Sequence, residues 1–245
     1  MLECDKPIQS WEASIEALTQ VNAALPKEIK AIFIGGATIP LHDEKNNVEK
    51  YFRPTKDIDV LPDTELDFYD SESLLRKSGF KDLHEPPITS FLFKDIPVDF
   101  IFPSGEQGFS NEWLIPAVKS AVPYTLPNGS TIHIPLLENL LALKIAAAKS
   151  RGMKEGKSIH DSHDIEDIFT LLSSRKDVSD LIGRGSDELR GFLASYFKEL
   201  MDLGDFEDLV LGQISYLESE ELYDEIIQFF KDYIKAELGE SNAEL

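Results

Sequence analysis

Cysteine is almost missing from this chain of 245 residues. Cys4 is the only one, which excludes an intrachain disulfide and any zinc site built from several cysteines. Long apolar runs are missing too: no stretch approaches the roughly 18 consecutive apolar residues that span a bilayer. Met1 to Ser10 carries Glu3, Asp5, Lys6 and Gln9 where an export signal would be basic and then apolar. A cytoplasmic protein with no membrane partner is the expectation. Positive charge is also scarce, with 24 Lys and Arg against 45 Asp and Glu and a formal net charge of −21. Such a surface repels polyanions and argues against broad, non-specific binding to nucleic acid.

What is present has an ordinary globular balance, with 42% hydrophobic and 28% charged residues. The length suits one large domain or two small ones. The charge is uneven. From Glu199 onward the only cations are Lys231 and Lys235, whereas Lys144, Lys149, Arg151, Lys154 and Lys157 are opposed locally only by Glu155. That stretch reads as a basic patch able to receive a phosphate-bearing ligand.

Periodicity divides the chain into two styles. Residues 8–25 have Trp11, Ile15, Leu18, Val21 and Leu25 at helical spacing, and Pro26 ends the pattern. Ala31 to Ile34 is a short apolar strand running into Gly35-Gly36, and residues 42–53 read as a polar loop. Asp57 to Leu61 alternates as a strand with one acidic face. Ser71–Ser78 reads as a helix closed by Gly79. Two hairpins follow: Phe91–Phe93 with Val98–Phe102, then Tyr124–Leu126 with Thr131–Ile134 through Pro127-Asn128-Gly129. Beyond Pro135 the pattern is helical, most clearly at Leu136–Arg151, Ser162–Leu172, Asp187–Met201 and Glu220–Leu238, with a frayed end from Gly239 to Leu245. The expected fold is α+β, with a mixed sheet and flanking helices over residues 1–135 and an all-helical half over 136–245.

Carboxylates carry the chemistry. Asp57 and Asp59 are two apart on the predicted strand and so leave one face, while Ile58 and Val60 face the packing. Carboxylates held this close repel one another unless a cation lies between them, and hard oxygen ligands suit Mg²⁺ or Mn²⁺. If the hairpin strand carrying Asp99 lies beside the first, Asp99 joins the set. It is then placed to activate an attacking hydroxyl. Asp-Ile-Asp alone also fits a solvated strand face. The order strand, Gly-Gly, Asp-x-Asp strand, Val-Asp strand is more specific. There the glycines would let backbone N–H groups approach a triphosphate closely.

Gly35-Gly36-Ala37-Thr38, then Arg53-Pro54-Thr55-Lys56-Asp57-Ile58-Asp59, then Ile96-Pro97-Val98-Asp99-Phe100-Ile101 resemble the DNA polymerase β-like nucleotidyltransferase superfamily. Glu138 to Lys144, Ala148, Arg151 and Asp164-Ile165-Glu166-Asp167-Ile168 look like the C-terminal motifs of one branch, the nucleotidyltransferase toxins of abortive-infection and toxin–antitoxin systems and their relatives. The likeness covers roughly residues 30–172. It implies a nucleotidyltransferase-like sheet carrying the carboxylates, with a helical domain closing over a nucleoside triphosphate. Asp57, Asp59 and Asp99 would hold Mg²⁺ or Mn²⁺, and Gly35, Gly36 and Thr38 would contact phosphates. Arg53, Lys56 and Arg151 would add positive charge, Lys144 would neutralise the triphosphate, and Asp164 would face it across the cleft. A tRNA or protein acceptor and an antitoxin partner are implied as well. The pattern departs in three places: a long Leu41–Arg53 insertion, Gly36 where the superfamily often has serine, and His163 where the branch has Arg or Lys.

Plainer readings stand beside these. Lys144, on an apolar helix face, could snorkel to solvent. His160-Asp161 and His163-Asp164 suggest a histidine–aspartate metal site. Only His42, His84 and His133 remain to complete one, and a helix start capped by Asp161 or Ser162 explains the segment better. Phe109, Trp113, Phe229, Phe230 and Tyr233 read as packing residues. Two functions follow: metal-dependent transfer of a nucleoside monophosphate to an RNA, protein or small-molecule acceptor, or a catalytically weak version of the same fold serving as a nucleotide-binding or protein-interaction module. In the second, the acidic residues 202–245 offer a partner surface.

Overall fold

A computed structural model describes residues 8–43, 52–64, 66, 68–83, 89–103, 111–151, 158–214 and 220–239. Cys4, His84, Phe109, Lys154, Glu155, Lys157, most of the Leu41–Arg53 insertion and residues 240–245 lie outside this description. The fold is α+β, and contacts divide it into two compact units. One comprises Met1–Leu41 with Asn46–Leu136, the other His42–Lys45 with Leu137–Leu245.

The first unit is built on a seven-stranded mixed sheet. Its strands are β1 (Lys30–Ile34), β2 (Ile58–Asp63), β3 (Phe80–Asp82), β4 (Ser90–Phe93), β5 (Ile96–Phe100), β6 (Val122–Thr125) and β7 (Thr131–Ile134), in the order β3-β4-β5-β2-β1-β7-β6. Central β1 is buried from Ala31 to Ile34, as a strand covered on both faces must be. Edge strand β6 is largely exposed and carries Pro123, a residue that cannot donate to a ladder. Helix α1 (Trp11–Ala24) starts where the Ser10 hydroxyl accepts from the Ala13 N–H (3.2 Å), and it buries Trp11, Ile15, Leu18 and Val21. Helices α2 (Phe68–Lys77) and α3 (Leu114–Ser120) complete this unit. Phe80 and Phe91 meet Phe100 edge-on, at 5.6 and 5.5 Å between ring centroids, in a core that also takes Phe33, Val60 and Val98.

The β4–β5 hairpin turns at Lys94, whose φ of 54° is left-handed and suits the first loop position of such turns. Antiparallel pairing follows, with Phe91 opposite Val98 and Ser90 opposite Asp99.

The second unit is helical: α4 (Leu137–Arg151), α5 (His163–Ser173), α6 (Val178–Ile182), α7 (Asp187–Met201), α8 (Phe206–Ile214) and α9 (Glu220–Leu238). Phe169, Phe197, Phe206 and Phe230 are fully buried in its core, with Tyr233 buried and Phe229 half-buried beside them. Phe230 lies 4.8 Å from Phe197 and 5.4 Å from Phe206, centroid to centroid. Ser162 occupies the N-cap position of α5, as read from the sequence, but makes no side-chain cap bond there. No helix among the described residues is long and apolar enough to cross a membrane.

Candidate functional site

Strands β2 and β5 run parallel as neighbours, and their register sets Asp59 opposite Asp99. Residues paired in this way project from the same face of a sheet. Both carboxylates are half-buried. On the other side of β2, Asp59 pairs with Ile34, the last residue of β1, so the Gly35-Gly36 turn begins beside it.

Gly35 adopts φ 76°, a conformation that side chains oppose. A Cβ there would fall 1.8 Å from Asp59 Oδ2. The space left by the missing side chain is thus filled by the Asp59 carboxylate, not left open to a phosphate. Gly36 is less constrained: the nearest atoms to a Cβ would be Arg53 Nη2 at 3.4 Å and Thr55 Oγ1 at 3.6 Å. Arg53 and Thr55 therefore stand over the second half of the turn. Thr38 is fully buried, and its hydroxyl donates to the Gly35 carbonyl oxygen at 3.0 Å. That bond closes the 3₁₀ segment Gly36–His42, so Thr38 serves the turn from inside in place of the expected phosphate contact.

Asp57 stands one residue before β2. The Thr55 hydroxyl lies 3.3 Å from the Asp57 carbonyl oxygen and 3.4 Å from its Oδ1. Among the described residues, no three His, Cys, Asp or Glu side chains stand close enough to hold one ion. The structure therefore pairs Asp59 with Asp99 but does not gather Asp57 with them into a three-ligand set. Mutual repulsion opposes such a set without a cation. Lys56 is exposed at the bend preceding β2.

Neither a protein-family model nor a curated protein sequence gives a significant match to this chain.

The remaining expected residues belong to the second unit. Lys144 Nζ lies 2.6 Å from Asp167 Oδ2 and 3.5 Å from Asp164 Oδ1, and Arg151 Nη1 lies 3.3 Å from Asp164 Oδ2. Both aspartates are buried, and the Lys144 side chain is only 12% exposed. Lys144 thus does not snorkel to solvent. Its charge is matched by two buried carboxylates across α4 and α5, with Arg151 balancing the second. Asp167 is the closer partner, and sequence reading did not assign it a role. The available signal was its helical spacing from Asp164, which puts the two on one face. Lys149 pairs with Glu199 at 2.7 Å, so every described cation of the Lys144–Lys157 stretch is met by acid, and the expected basic patch is neutralised there.

Two further ionisable groups escaped sequence reading because burial, not motif, makes them notable. Burial with the charges of Glu199 and Asp164 pushes the Tyr196 phenol well above its ordinary range. His42 is buried with no partner for its Nε2, and desolvation aided by the Arg175 guanidinium holds its pKa down to about 4. Arg175 also donates to the His42 carbonyl oxygen at 3.4 Å while chelating Asp177. His160 pairs with Asp205 at 2.9 Å and His163 with Glu166 at 3.3 Å, so the histidine–aspartate pairs of the sequence are spent on separate partners.

Proposed function

We propose that the first unit is the catalytic domain of a metal-dependent nucleotidyltransferase, with Asp59 and Asp99 as its paired carboxylates. The single observation that carries this reading is their in-register placement on parallel neighbours, with the Gly35 turn wrapped against Asp59. Three segments separate in sequence converge there, in the order that the resemblance to DNA polymerase β-like nucleotidyltransferases requires. The donor set fits a hard divalent cation, since Mg²⁺ takes one or two protein carboxylates and completes its shell with water and phosphate oxygens. Asp59 and Asp99 would hold Mg²⁺ or Mn²⁺. When bound, the metal supplies charge stabilisation to the phosphoryl oxygens of a nucleoside triphosphate.

The chain's own residues do the rest. Arg53, over Gly36, supplies positive charge to the triphosphate. Asp99 takes the proton of an acceptor hydroxyl as that oxygen attacks the α-phosphorus. The new O–P bond replaces the bond to the bridging oxygen, and pyrophosphate leaves with that electron pair. The acceptor is an RNA end, a protein hydroxyl or a small molecule. The formal charge of −21 weighs against a polyanionic RNA.

A second reading, a catalytically weak module that binds nucleotide or a protein such as an antitoxin, is favoured by one observation. Lys144 and Arg151, expected to serve a triphosphate, are already matched by Asp164 and Asp167. Calorimetric titration with each NTP plus Mg²⁺ or Mn²⁺, followed by pyrophosphate release from a labelled-NTP acceptor screen, separates the two. Metal-dependent binding and release lost in Asp59→Asn and Asp99→Asn supports the enzyme. Binding without turnover supports the module. No NTP binding by a well-folded protein, with any metal, sinks the enzyme and the nucleotide-binding module and leaves only a protein-binding one.

A further inference from the structure

Helix α9 carries a groove of about 850 Å³ in the second unit, walled on its other side by Ser179 and Gly183 at α6. Its floor is aromatic. Phe229 and Tyr233 stack at 5.8 Å between centroids and 18° between planes, and Ala236 continues the apolar strip. Its rim is acidic: Asp224, Glu225, Asp232 and Glu237 line it, and among the described residues no Lys or Arg does.

The pattern follows from helical spacing. Asp224, Gln228 and Asp232 form one row down α9, while Glu225, Phe229, Tyr233 and Glu237 form the adjacent row. From Asp224 to Glu237 the two rows run about 20 Å at 1.5 Å per residue. Glu237 already accepts from the Arg190 guanidinium at 3.0 Å. Among the described residues, Asp224, Glu225 and Asp232 have no cation within ion-pair distance, and all three are exposed. Phe229, Tyr233 and Ala236 form an apolar strip of about 10 Å at 1.5 Å per residue, with the unneutralised Asp224 and Asp232 in the row beside it and Glu225 at its end, and this pattern is complementary to one kind of occupant. That occupant is a helix with an apolar stripe and lysines or arginines beside it. Its cationic heads would meet the rim, and an arginine passing over the Phe229 ring would add a cation–π contact.

We propose that this groove is a docking site for a basic amphipathic helix of a protein partner. The site lies wholly within the second unit and does not depend on the Asp59–Asp99 reading. Polyamines and inorganic cations would also be drawn to the carboxylates, but they would make no use of the aromatic floor.

The test is fluorescence anisotropy of the full chain with labelled peptides of about 14 residues, the length matching about 20 Å of helix. The probe places leucines on one face and lysines on the other; a scrambled peptide of equal charge has no apolar face. The expected result is saturable binding of the probe, at least tenfold weaker for the scrambled peptide. A D224K/E225K/D232K variant should lose at least tenfold in affinity. A D202K/E207K/D208K variant, reversed at exposed acids outside the groove, should keep most of it. The variants are exposed-surface changes, and unchanged circular dichroism verifies their folding. Equal binding of the two peptides, equal loss in both variants, or full displacement of the probe by stoichiometric spermidine would each overturn the proposal.

Discussion

Gly35 and Gly36 are neighbours with the same side chain and opposite tolerance. Gly35→Ala must drive a methyl into Asp59 Oδ2 and hold alanine at φ 76°, which alone costs about 1–2 kcal/mol. Gly36→Ala meets nothing nearer than 3.4 Å. In urea denaturation, Gly35→Ala is expected to lower stability by at least about 2 kcal/mol, and Gly36→Ala by less than about 1 kcal/mol. Equal costs would mean that Asp59 does not occupy the turn. His42 gives a second prediction at this scale. Its folded pKa of about 4 lies below the ordinary 6.5, so the unfolded chain protonates first as pH falls. Stability is full above about pH 6.5 and declines toward pH 4, by up to about 3 kcal/mol. Subtracting the stability-versus-pH curve of His42→Leu from that of the wild type isolates this slope. A difference that is flat between pH 6.5 and 4 would refute it. The aspartates of the site were legible as residues, because alternation and spacing mark them. The enclosure of Thr38 was not, since a threonine two residues past a Gly-Gly pair reads the same whether its hydroxyl faces a ligand or a carbonyl.

Elements with strong periodicity could be read from the sequence. Helices α1, α7 and α9 and both hairpins lie within a few residues of their expected positions, since each has a long amphipathic pattern or a clear turn. The three-residue β3 and the short α3, α6 and α8 could not, because a few residues complete no period. Phe80 begins β3 next to Gly79, which the sequence marked only as a helix stop. Pairing between elements is also silent in one sequence: nothing in Lys144 or Asp167 states that α4 and α5 meet there. Their ion network gives a prediction at this scale. Lys144→Met removes the cation that meets both buried carboxylates, Asp164 and Asp167. It should cost about 3–5 kcal/mol, as breaking a buried pair does. Replacing Lys144 and Asp167 together with Met and Leu should recover most of that loss, whereas Lys198→Ala, at an exposed i,i+4 pair, should cost under about 1 kcal/mol. Chemical denaturation of the three variants would show it; a Lys144→Met no worse than Lys198→Ala would mean the network is dispensable.

Over the whole molecule, negative charge far outweighs positive, and the excess acts on the compact state as self-repulsion. Salt screens it within about 10 Å at 0.1 M. The midpoint of thermal unfolding at pH 8 is therefore expected to rise steadily between low salt and about 0.5 M NaCl. A fall would mean that ion pairs such as Lys149–Glu199 outweigh the repulsion. Chain path has its own consequence at this scale. His42–Lys45 belongs to the second unit although the residues on both sides of it belong to the first. His42 meets Arg175 across 133 positions. During synthesis at about 5–20 residues per second, His42 leaves the ribosome roughly 7–27 s before the arginine that receives it. For that interval the first unit must carry a tethered histidine segment whose own burial has yet to be made. Truncation after residue 136 would leave it in that state permanently.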